Sequence, residues 1–66
     1  MEKYIVTNQD NEQMDFFHTE KKADKCARDF MNTEYHYKLM DVNHIVESCK
    51  MLKVDESGNK TFIKIY

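Results

Sequence analysis

The residues Lys3-Tyr4-Ile5-Val6-Thr7 are rich in β-branched and aromatic side chains, which fit the pleated surface of a sheet and predict a strand. Asn8-Gln9-Asp10-Asn11 follows as a turn, because short amide and carboxylate side chains bond their own backbone there. A second strand is predicted from Glu12 to His18, with Met14 and Phe16 on one face and Phe17 on the other. Together these segments make an N-terminal hairpin.

The period then changes. Ala23, Cys26, Ala27, Phe30 and Met31 recur at helical spacing, while Lys21, Lys22, Asp24, Lys25, Arg28 and Asp29 occupy the other side. Thr19 is a good N-cap and Glu20 places negative charge in the first turn, so a helix is predicted over 20–32. The next stretch reads two ways. Tyr35, Leu39, Val42, Val46 and Cys49 form a helical seam that Thr33 can cap, which favours a second helix over roughly 34–48. Tyr35, Tyr37 and Leu39 also alternate as in a strand. At the end, Cys49–Val54 and 60–66 flank Asp55-Glu56-Ser57-Gly58-Asn59, whose glycine suits a left-handed position in a hairpin loop.

The expected fold is therefore α+β, in the order ββα(α)ββ: an antiparallel sheet from two terminal hairpins, with one or two helices on one face. The expected core is Ile5, Phe16, Ala27, Phe30, Leu39, Val46, Leu52 and Ile63. The 66 residues make a single domain, 1–66, with no proline, one glycine and no linker composition. A chain this short buries only ~60% of its unfolded surface, so a homodimer or a partner protein is an expected supplement to its core.

Composition narrows the function classes. Ten basic and twelve acidic residues nearly cancel, and Arg28 is the only arginine. Nucleic-acid binders usually carry a net basic stripe with arginine forks, so the balance argues against nucleic acid. No apolar run approaches the ~20 residues that cross a bilayer, and Met1-Glu2-Lys3-Tyr4 is too polar for a signal sequence. Two cysteines are too few for a disulfide scaffold, so reduced thiols and a cytoplasmic setting are expected.

No catalytic, metal or phosphate motif stands out. His18, His36, His44, Cys26 and Cys49 lack the close pairing that fixes two zinc ligands on one turn. Cys26 lies on an apolar stripe, where a thiol is inert. One glycine cannot build a phosphate-cradling loop. No catalytic residue, metal or cofactor is therefore expected.

Binding material is plentiful. Phe62, Lys64 and Tyr66 alternate with Thr61, Ile63 and Ile65, which predicts an aromatic and basic face opposite an apolar one. Tyrosine and methionine are common interface residues, and Tyr35, Tyr37, Met31, Met40 and Met51 extend the set. The expected partner-binding residues are Tyr35, Tyr37, Phe62, Lys64 and Tyr66. The alternatives are a nucleotide-like ligand held in an oligomer and, behind it, single-stranded nucleic acid stacked on the same aromatics. In texture the chain resembles the short accessory proteins of large bacteriophages: rich in Lys, Asn, Asp, Met and Tyr, and poor in Gly, Pro and Arg. That resemblance carries no motif. It implies a non-enzymatic module that inhibits or redirects a host protein by occlusion in the host cytoplasm.

Overall fold

The computed structural model describes residues 2–66. Four strands and one helix follow in the order ββαββ: β1 (Lys3–Asn8), β2 (Gln13–Phe17), α1 (Glu20–Met40), β3 (Cys49–Val54) and β4 (Lys60–Ile65). The strands form one antiparallel sheet in the order β2-β1-β3-β4, so the two hairpins meet through β1 and β3. The α+β expectation holds, with a single helix.

Local chemistry sets the turns. Asn8 Oδ1 accepts from the amides of Asp10 and Glu12, and Asn11 takes the left-handed conformation that Asn tolerates. In the second hairpin Asp55 Oδ1 accepts from the amides of Ser57 and Asn59. Gly58 holds φ +83°, where a side chain would be strained.

The helix begins as its cap predicts, with the Lys22 amide donating to Thr19 Oγ1 at 3.3 Å. It does not stop at 32. Thr33, expected to cap a second helix, donates its hydroxyl to the Asp29 carbonyl at 3.0 Å and stays inside the first. With no Gly or Pro to interrupt it, α1 runs on to Met40. Asp41 ends it: its backbone is extended, and its side chain accepts from the Asn43 amide in a turn of its own. Residues 41–48 are irregular, so the second helix over 34–48 is replaced by a longer first helix and a returning loop.

That loop is tied to the helix. Glu34 Oε1 accepts from the Glu47 amide at 3.0 Å and meets His44 Nε2 at 3.0 Å. Lys38, in the last turn of α1, donates to the Val42 and His44 carbonyls of the loop that follows. The amide and the imidazole hold the Glu34 carboxyl below its usual range.

The core lies between α1 and one face of the sheet: Val6, Ala23, Ala27, Met31, Cys49 and Met51, bordered by Tyr4, Phe17, Cys26, Phe30, Val46, Ile63 and Tyr66. Ala23 and Ala27 let the helix backbone sit close to the strands. Four of the expected core residues lie outside this cluster, and of these Ile5 is still buried as expected while Leu52 is half-buried on the opposite face of the sheet. The other two are exposed, Phe16 at 47% and Leu39 at 86%. Leu39 is exposed because α1 outruns its support. Twenty-one helical residues span about 31 Å, whereas a six-residue strand spans about 20 Å. The molecule is accordingly elongated, 43 × 21 × 15 Å.

Candidate protein-interaction surface

Successive residues of a strand point to opposite faces, so the register says which side chains share the face away from α1. Ile5 stands opposite Phe16 on β2 and Leu52 on β3, and Leu52 stands opposite Phe62 on β4. Phe16, Ile5, Leu52 and Phe62 thus make one apolar row across all four strands. A second row runs Gln13, Thr7, Lys50 and Ile65, and a third runs Lys3, Val54 and Lys60. No secondary-structure element among the described residues covers this face.

The burial pattern agrees. Ile5, Val6 and Thr7 are consecutive and all buried, so β1 is shielded on both faces. Val6 lies under the helix, whereas Ile5 and Thr7 are buried on the other face. The outer members of the rows remain open: Phe16 at 47%, Phe62 at 57% and Ile65 at 55%. Lys3 Nζ lies 5.5 Å from the Phe16 ring centroid, and His18 meets that ring edge-on. Lys50 donates to Asn11 Oδ1 at 2.9 Å. Thr7 Oγ1, next to Lys50 in the register, is buried without a hydrogen-bond partner.

The five residues expected to bind a partner do not form one patch. A β-bulge lies in the β3–β4 pairing, because Leu52 faces Phe62 while Met51 faces Lys64. The extra residue reverses the alternation. Phe62 lies on the open face, whereas Tyr66 turns under the helix and donates its hydroxyl to Asp24 Oδ1. Lys64 follows it, 4.9 Å from the Tyr66 ring centroid. The expected partition of β4 therefore fails: Ile63 packs toward the core while Ile65 is exposed beside Lys50. Burial and the Asp24 carboxylate both push the Tyr66 hydroxyl pKa upward. Tyr35 reaches Tyr66 across a shallow groove of about 300 Å³ that Arg28, Met31 and Asn32 also line. Tyr37 packs edge-on against His44 in the helix overhang, away from the groove.

Sequence reasoning passed over Ile5, Leu52, Phe16 and Ile65 as surface residues, and Lys3, Lys50 and Lys60 altogether. One signal was available. Tyr4-Ile5-Val6 and Met51-Leu52 are apolar on both faces of their strands, which is one face more than a single helix can cover.

Other chemistry finds little support in the geometry. Burial raises the pKa of both thiols, Cys26 and Cys49, which makes them poorer nucleophiles. Among the described residues no group of three or more His, Cys, Asp or Glu side chains is placed to hold a metal ion, and no helix is long and apolar enough to cross a membrane. No family model matches the chain, and no curated protein or solved structure gives a match.

Proposed function

We propose that this chain is a non-enzymatic protein-binding module that engages its partner through the open face of the sheet. The observation that carries the reading is the apolar row Phe16, Ile5, Leu52 and Phe62, which spans every strand and has no covering layer. Its outer members, Phe16 and Phe62, leave aromatic surface in water of the kind that partners cover. Occlusion is the mode of action that a rigid sheet face suits. It matches the inhibition or redirection of a host protein that the compositional resemblance to phage accessory proteins implies, in a cytoplasm that keeps both cysteines reduced.

A photo-crosslinking residue placed at Phe62, compared with one at the exposed helix position Lys21, tests this in cells of the natural setting. The expected result is a discrete protein adduct from position 62 and none from position 21. Equal labelling from both positions, or none from 62, sinks the reading.

A second reading, capture of a nucleotide-like ligand, draws on the groove where Tyr35 and Tyr66 flank Arg28. A rise in melting temperature with ATP, abolished by Tyr35→Ala, would favour it over the first.

A further inference from the structure

We infer that the open sheet face takes an acidic amphipathic segment of a partner protein, its apolar side chains on the Phe16–Phe62 row and its carboxylates on the flanking lysines. The inference rests on the protein-binding reading above and names the partner's chemistry. Its basis is a segregation of charge that the net value of -2 conceals. At the strand positions of the open face the charged residues are Lys3, Lys50 and Lys60, with no aspartate or glutamate. None of the three has a carboxylate partner among the described residues; Lys3 leans on an aromatic ring and Lys50 on an amide. Off this face, Lys25 pairs with Asp29, Arg28 with Asp24 and Lys53 with Glu2, and Lys21 and Lys22, which have no such pair among the described residues, share the helix with acidic neighbours Glu20 and Asp24. The open face therefore presents uncompensated positive charge on both flanks of an apolar strip, and carboxylates flanking an apolar stripe complement it.

The same features weigh against the other occupants. A second copy of this chain would set lysine against lysine across the contact. Single-stranded nucleic acid stacks successive bases on neighbouring rings, but Phe16 and Phe62 lie three strand spacings apart, about 14 Å, with aliphatic Ile5 and Leu52 between them.

The test titrates the ¹⁵N-labelled protein with a designed peptide of about four helical turns, leucine on one face and glutamate on the other. The same peptide with lysine for glutamate and an oligothymidine run alongside. The Glu peptide is expected to shift amides of all four strands and to spare α1. The triple variant Lys3→Glu, Lys50→Glu, Lys60→Glu should weaken it about tenfold or more, while Lys21→Glu with Lys22→Glu on the helix leaves it unchanged. The neutral set Lys3→Gln, Lys50→Gln, Lys60→Gln serves if the reversed charges unfold the domain, and should fall between the two. Equal binding of the Glu and Lys peptides, preference for the oligonucleotide, or no binding overturns the inference. The module reading has its own outcome: a position-62 adduct that survives the lysine reversals leaves an interaction face whose partner is not acidic.

Discussion

The two faces of this sheet are built from different residues. The covered face has a fully buried centre of small or flexible side chains, Val6, Cys49 and Met51 against Ala23, Ala27 and Met31 of the helix, with Tyr4, Phe17, Phe30 and Tyr66 partly buried around it. The open face carries large rigid ones, Phe16 and Phe62, with Leu52 and Ile65 between and beside them. Aromatic side chains add the most buried area when packed inside, as Tyr4, Phe17, Phe30 and Tyr66 partly are, whereas Phe16 and Phe62 stay about half exposed. Here the helix approaches on alanines, the core stays thin, and two phenylalanines remain in water. On the proposed reading stability resides on one face and recognition on the other, so substitutions on the two faces should separate those properties.

The largest effect is expected under the helix. Met51→Ala removes a side chain that is 1% exposed and should cost about 2–5 kcal/mol in urea unfolding, enough to leave a domain this small largely unfolded. A loss below about 1 kcal/mol would mean that the helix does not pack where described.

Ala27→Leu comes next. It asks a fully buried alanine position to accept three more carbons against Val6 and Cys49, and should cost about 1–3 kcal/mol by overpacking. A stabilised variant would show that the helix has room to lift.

A smaller effect sharpens the contrast between the sheet-supported part of α1 and its overhang. Glu34→Gln removes the charge that receives the Glu47 amide and faces His44, so the melting temperature should fall modestly as the 41–48 loop loosens. The sign with pH follows from the direction of the shift. The folded pKa of Glu34 lies below its ordinary 4.5, so the unfolded chain binds more protons near that pH. The contribution is complete above 4.5 and disappears as pH falls through the lower folded value. Stability measured from pH 6 to pH 3 should drop less steeply in Glu34→Gln than in the parent, and identical slopes would break the assignment.

The smallest effect is expected on the open face. Phe62→Ser should change folding stability by no more than about 0.5 kcal/mol, because that ring is 57% exposed and outside the core. A loss as large as that of Met51→Ala would place Phe62 in the folding core and remove the open face as a recognition surface.

By themselves, local residue choices determined the elements and most of their ends. The Thr19 cap, the asparagine turn after β1, the Gly58 loop and the β-rich terminal segments each act through neighbours within a few residues, so they were legible in order along the chain. Tertiary structure decided three things that no local pattern holds. The Tyr35 to Cys49 seam looked like a second helix, but Thr33 bonds backward within α1 and Asp41 forms its own turn, so the seam is divided between the overhang and a loop that Glu34 ties back. The face on which Phe62 and Tyr66 fall was set by a bulge against Met51 and Leu52, residues ten or more positions away. Which apolar face stayed uncovered depended on strand order, since Ile5 and Val6 are equally apolar and only the path of a single helix over the sheet buries one beneath it and leaves the other on the opposite face. Strand periodicity is blind to that choice, because it separates the two faces without saying which will be covered.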